Sequence, residues 1–264
     1  MSVDTGKLYD FSRLADLVRP LKLHSTRITA STNDWAKQET QSGAGRVPAL
    51  FVAGSQSAGR GRGTNAWWSP LGNVAATFVL VQNAHIAFGL VPLLAGLAVR
   101  RALVRLTACD DICLKWPNDL VVGQRKAAGL LCERLQRADL LGVGVNVNAG
   151  SSEGPAELRE RITSLRELTG KVWDLTQVLC EISRELRQVF SLESENTARQ
   201  LLQEYSQHHW PTGKQIELVD ADRAPRVGGC CIGVDPEGRL IVGTGQTSRS
   251  FLTGSIVSVT SATE

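Results

Sequence analysis

The sequence has no uninterrupted apolar run of about 18 residues, so it offers no transmembrane helix. Its first residues lack the basic-then-apolar order of a secretory signal. A helix-turn-helix module would need roughly 60 more residues ahead of the first apolar periodicity. The expectation is a cytoplasmic protein whose partners include neither membrane nor DNA. Cys109, Cys113, Cys132, Cys180, Cys230 and Cys231 form no C-x-x-C pair, and the four histidines lack zinc-finger spacing. Free thiols in a reducing compartment follow. Adjacent His208 and His209 point apart on most backbones, and no resident metal site is expected. An excess of charge is missing too: 29 Lys and Arg against 26 Asp and Glu leave +3, too little to name nucleic acid as the main partner.

What is present is length and apolar content. At 264 residues and 42% hydrophobic, the chain holds one sizeable domain, or one domain with a small appendage. Helical spacing marks Asp10 to Val18, Leu90 to Leu106, Asp174 to Phe190 with a box-like start from Asp174 and Gln177, and Thr197 to Gln207. Ser31 or Thr32 is placed to cap a helix beginning at Asp34, and a helix start with free amides can bind a polar ligand or simply be capped. Strand-like runs are Ala49 to Ala53, Val74 to Val81, Ile112 to Leu120 broken by Pro117, Ala127 to Glu133 after Lys126, and Leu140 to Val147. Gly129, Gly142 and Gly144 thin the last two, where something can approach the backbone. Helical period ends at His208–Gly213. Short strands near 214–219, 227–234, 239–244 and 255–259 follow, with Asp235-Pro236-Glu237-Gly238 as a type I turn.

One stretch stands apart. Residues 54–73 alternate glycine and arginine, Gly59-Arg60-Gly61-Arg62-Gly63, then reach Trp67-Trp68-Ser69-Pro70. A dinucleotide fingerprint needs a helix after such glycines, and Ser69-Pro70 leads into a strand instead. Backbone amides freed by glycine and two guanidinium groups can grip an anion, and the tryptophans can stack on a flat ring. A basic surface loop is the plainer alternative. Taken singly, Gln56 reads as a loop amide beyond a strand end at Gly54, Lys115 as a surface charge, and Asn118, Asp119 and Asn146 as turn formers.

Taken together and in order, Ser31-Thr32-Asn33, Gln56, the Gly59–Trp67 loop, Lys115-Trp116-Pro117-Asn118-Asp119, Arg125-Lys126-Ala127-Ala128-Gly129 and Gly142-Val143-Gly144-Val145-Asn146 closely resemble the biotin protein ligase family. The match is strong over residues 25–150 and looser beyond. The resemblance implies an α/β (α+β) fold: a mixed-sheet catalytic domain related to class II aminoacyl-tRNA synthetases over 1–210, and an SH3-like β-barrel over 211–264. It implies activation of biotin by ATP to biotinyl-5′-AMP with Mg²⁺, then transfer to a lysine of a biotin carboxyl carrier protein or domain.

The family's residues carry over by position. Lys126 and Arg62 would be catalytic. Ser31, Thr32, Asn33, Gln56, Gly59, Arg60, Gly61, Arg62, Lys126, Gly129, Gly142 and Gly144 would meet biotin. Arg60, Arg62, Asn65, Trp67, Lys115, Asn118, Asp119, Lys126 and Asn146 would meet ATP or the adenylate. Residues 56–68 would order over the ligand and keep water from the anhydride. Thr64 and Asn65 stand where many bacterial members read Gly-Arg, so no third arginine contact is assigned. Ser255 follows Gly254 where a glutamate is common, and inherits no role. A lipoate-type ligase using the same adenylate logic, and a non-catalytic biotin sensor, are the alternatives. The state, monomer or homodimer, is open.

Overall fold

The computed structural model describes residues 8–43, 47–219 and 226–260. Helix α1 (Phe11–Leu17) opens the chain, with the Asp10 side chain accepting from Arg13 N. Strand β1 (Lys22–Thr29) leads to α2 (Thr32–Gln41), and β2 (Ala49–Gln56) and β3 (Val74–Val81) follow. Helix α3 (Val91–Thr107) precedes four strands: β4 (Ile112–Lys115), β5 (Asp119–Val122), β6 (Arg125–Arg134) and β7 (Ala138–Val145). They join in one seven-stranded mixed sheet, ordered β1-β2-β3-β7-β6-β5-β4, in which β1 and β2 are parallel and the remaining neighbours antiparallel.

Helices α4 (Leu165–Thr169), α5 (Leu175–Phe190) and α6 (Glu195–Gln207) come next. Strand alternation divides the sheet's side chains between two faces. Leu50, Val52, Phe78, Leu141 and Val143 pack against α3 and α5 in the main core, where Leu93, Leu94, Leu97, Leu179 and Ile182 are fully buried. Phe51, Val79 and Leu140 point the other way, onto Ala36 of α2, in a smaller cluster. The cleft described below lies on this thinner side.

A five-stranded antiparallel sheet of β8 (Gln215–Val219), β9 (Val227–Val234), β10 (Leu240–Thr244), β11 (Thr247–Phe251) and β12 (Ser255–Thr260) ends the chain, ordered β11-β10-β9-β8-β12. The mixed α/β class with a small antiparallel C-terminal sheet is as expected. The two sheets touch: Trp116 Nε1 donates to Gly238 O at 3.0 Å, and His209 Nε2 accepts from Trp116 N at 3.3 Å.

Several local expectations are corrected. Gln56 is the last residue of β2, opposite Thr29, rather than a loop residue past Gly54. Ile112–Leu120 is not one interrupted strand but a hairpin, β4 and β5, in which Lys115 faces Asp119 across the turn at Trp116-Pro117. Lys126 lies inside β6, not ahead of it. Asp174 caps α5 through Thr176 N, with no bond to Gln177. Strand β11, with the polar sequence Thr-Ser-Arg-Ser before Phe251, carries too little apolar signal to be read from sequence. The turn at Asp235 stands, with Gly238 N donating to Asp235 O at 2.9 Å and Gly238 at φ +81°.

Candidate functional site

Three glycines make the floor. Gly142 and Gly144 are two apart on β7, and Gly144 pairs with Gly129 of β6, so all three lie on one face of the sheet. Side chains there would fill the space: an added Cβ would lie 2.1 Å from Asn33 Oδ1 at Gly142, 2.4 Å from the Trp67 ring at Gly144, and 2.8 Å from Lys126 Cε at Gly129. Above the floor is a cleft of about 340 Å³ lined by Ser31, Thr32, Asn33, Gln56, Arg60, Gly61, Arg62, Asn65, Trp67, Asn118, Asp119, Lys126 and the three glycines.

The polar wall comes from the start of α2. Ser31 is its N-cap, accepting from Asp34 N, and this places Thr32 and Asn33 in the first turn, buried at the cleft. Gln56 Oε1 accepts from Thr32 N at 2.8 Å and Thr32 Oγ1 at 3.1 Å, so one helix-start amide is already occupied. Asn33 Nδ2 donates to Leu131 O at 3.0 Å and Glu133 Oε2 at 2.9 Å, while its Oδ1 accepts from Thr77 Oγ1 at 2.7 Å.

The glycine-arginine stretch is a miniature hairpin. Gly61 N donates to Asn65 O at 2.7 Å, Asn65 N to Arg62 O at 3.1 Å, and Trp67 N to Gly59 O at 2.8 Å. Gly63 takes φ +60° at its tip, the conformation that favours glycine. Gly59 supports the hairpin's root, where a Cβ would lie 2.5 Å from Trp67 O. The hairpin lays Trp67 over the floor, with Lys126 Nζ 5.2 Å from its ring centroid.

Two cations reach inward and one is tethered at the rim. Lys126 Nζ pairs with Asp119 Oδ1 at 2.6 Å. The Lys126 backbone is gripped by a neighbouring segment, donating to Arg161 O at 2.7 Å and accepting from Thr163 N at 3.0 Å. Arg62 Nη1 donates to Gly254 O at 2.9 Å, and its burial lowers the guanidinium pKa, a pull that Asp119 opposes. Arg60 pairs with Asp34 and, at 3.5 Å, with Glu133 Oε1, which is also 3.5 Å from Lys37 Nζ. Burial acts to raise the Glu133 pKa, but the Asn33 bond, Arg60 and Lys37 outweigh it and hold the carboxyl below its ordinary value.

Not every expected residue lines the cleft. Lys115 stands beside it, its pKa lowered by burial, opposed by Asp119 and reinforced by Lys126. Asn146 is buried behind the floor, donating from Nδ2 to Lys126 O at 3.2 Å. Sequence reasoning missed Thr77 and Glu133, and the lining residues Leu158, Arg161 and Ile162. Thr77 left a signal as the one polar residue within Val74–Val81. Glu133, closing an apolar run, left only the pattern of a strand end.

Among the described residues no group of three or more His, Cys, Asp or Glu is placed to hold a metal, and no helix is long and apolar enough to cross a membrane. All six cysteines are free. Residues 25–149 match the biotin/lipoate A/B protein ligase family. The biotin–acetyl-CoA-carboxylase ligase of Mycobacterium tuberculosis is 30% identical over 237 residues, covering 87% of this chain and 86% of that protein. A solved biotin protein ligase from Aquifex aeolicus in complex with biotin and ATP matches with TM-score 0.78 at 26% identity, over 91% of this chain and 99% of that one. The apo structure from the same organism matches with TM-score 0.71. A similarity that runs through nearly the whole of both chains, on a cleft built from the motifs that first suggested it, makes this chain a member of the biotin protein ligases.

Proposed function

We propose that the cleft condenses biotin with ATP to biotinyl-5′-AMP and then passes the biotinyl group to a lysine of a biotin carboxyl carrier protein or domain. The observation that carries this is the meeting of Lys126, Arg62 and a neutral polar wall, Ser31 to Asn33 with Gln56, over one glycine floor. The wall suits a small uncharged polar ring. The cations suit a carboxylate and phosphates.

In the first step a biotin carboxylate oxygen attacks the α-phosphorus of ATP, and the bond to the bridging oxygen breaks, releasing pyrophosphate with the electron pair. No protein nucleophile is required. Two anions must be brought together, so positioning and charge neutralisation are the protein's task, and Lys126 and Arg62 supply them. In the second step a carrier lysine amine attacks the anhydride carbonyl carbon, AMP departs, and the amine loses a proton. Mg²⁺ would arrive with the ATP phosphates. Asp119 is the carboxylate lining the cleft, which fits a cation held largely by phosphate and water rather than by a protein cage. Trp67 offers a flat face for adenine, and the hairpin closes the anhydride off from water.

ATP–pyrophosphate exchange tests the reading. Exchange should depend on biotin and not on lipoate, and Lys126→Ala should lower it by about 10² to 10³ with the fold retained. Stimulation by lipoate alone would assign the cleft to the other acid. Mass gain on the lysine of an added carrier domain checks the second step.

A further inference from the structure

We propose that Glu133 is a positioning residue: it locks the Asn33 amide so that the cleft is offered an acceptor, Oδ1, and thereby selects an acid whose ring carries an N–H donor. This rests on the reading of the cleft as a biotin site.

An asparagine amide has one end that accepts and one that donates, and the two have nearly the same shape. Which end faces the ligand is decided by its neighbours. Asn33 is buried, and its Nδ2 meets two groups that only accept, Leu131 O at 3.0 Å and Glu133 Oε2 at 2.9 Å. Turning the amide over would set its oxygen against a carbonyl oxygen and a carboxylate. The carbonyl alone satisfies one amide hydrogen, and the carboxylate takes the second with a charge-assisted bond. Both donors are then used inside the protein.

Oδ1 is left pointing over the floor. Thr77 Oγ1 donates to it at 2.7 Å, leaving a lone pair for the ligand. Gly142 permits this, since any Cβ would sit 2.1 Å from Oδ1. A cyclic urea presents ring N–H groups and can donate to Oδ1. A dithiolane ring has none, and would leave the buried acceptor unpaired.

The other carboxylate oxygen fixes Glu133 itself. Oε1 is 3.5 Å from both Lys37 Nζ of α2 and Arg60 Nη2 of the hairpin. Asp34, beside Asn33, pairs with the same arginine. Glu133 is thereby held between the helix that carries Asn33 and the hairpin that closes the cleft. Glutamine at 133 would keep the size but bring an amide able to donate, so the turned Asn33 amide would be opposed by Leu131 O alone.

Calorimetric binding without ATP tests this, using biotin and two cyclic-carbamate analogues in which one or the other ureido N–H is replaced by oxygen. The wild-type protein should bind one analogue at least about tenfold more weakly than biotin. Glu133→Ala and Glu133→Gln should weaken biotin binding and shrink that ratio below about threefold. A merely structural role would weaken biotin and carbamate alike, so an unchanged ratio in either folded variant overturns the proposal. If Glu133→Ala does not fold, Glu133→Gln decides. A wild-type protein that binds no biotin instead overturns the reading of the cleft itself.

Discussion

The chemistry of the cleft depends on the absence of single side chains as much as on their presence. Gly142 is the sharpest instance, because the Asn33 amide occupies the space a methyl would need. Gly142→Ala should displace Asn33, weakening biotin binding by at least about tenfold in calorimetry. The cost in stability should be smaller, since the methyl projects into the cleft and not into the main core. Gly144→Ala brings a methyl within 2.4 Å of the Trp67 ring and should affect ATP more than biotin. A kinetic comparison of the two Michaelis constants distinguishes the variants. At this scale the sequence was partly legible. The polar residues of the wall and the floor glycines stand out from apolar surroundings, whereas Glu133 does not, because its partners come from α2 and from the hairpin, far away in sequence.

Among the elements, the hairpin of residues 59–67 ties two separate parts of the molecule to the cleft. It bonds to itself through backbone, to α2 through Arg60 and Asp34, and to the C-terminal sheet through Arg62 and Gly254 O. Arg60 and Arg62 are therefore already partnered by protein, and an incoming anion has to compete for them. Adding biotin and ATP should slow proteolysis within residues 56–68, followed by mass spectrometry of the fragments, and equal cleavage rates with and without ligand would contradict closure. The strands flanking the hairpin were readable from their apolar runs. Its internal pairing was not, since Gly-Arg alternation has the period of a strand but no apolar side chain to bury. The Trp116-Pro117 break was legible as a break, but the reversal into a hairpin required the pairing of β4 with β5.

For the whole molecule, the junction of the two sheets is the vulnerable place. His209 is buried there, Nε2 accepting from Trp116 N and Nδ1 beside Thr212 Oγ1 at 2.8 Å. The accepting Nε2 must be unprotonated, so the ring is neutral with its proton on Nδ1. Burial drives its pKa from 6.5 down to about 3. The unfolded chain therefore takes up this proton first. The stabilisation is whole above pH 6.5 and falls by up to about 1.4 kcal/mol per pH unit between 6.5 and 3. Denaturant melts at pH 7, 6 and 5 should show this fall, flattened in His209→Gln. Trp116→Phe leaves Gly238 O without its donor and should cost about 1–3 kcal/mol in the same assay.

The sequence by itself determined α1, α3, α5 and α6 and most strands through apolar period, and α2 through its cap, but not α4, β1 or β11. It also placed the polar and glycine motifs of the cleft at element ends and thin strand positions. These are local properties, set by residues a few positions apart. Tertiary structure alone decided which of them meet. Asn33 finds Glu133 100 residues away and Thr77 44 away, and Arg62 reaches Gly254 across 192. Such pairs follow from the strand order β3-β7-β6 and from the seat of the C-terminal sheet. Neither is written in the period of any one segment, because strand order is settled by burying both faces of the sheet at once.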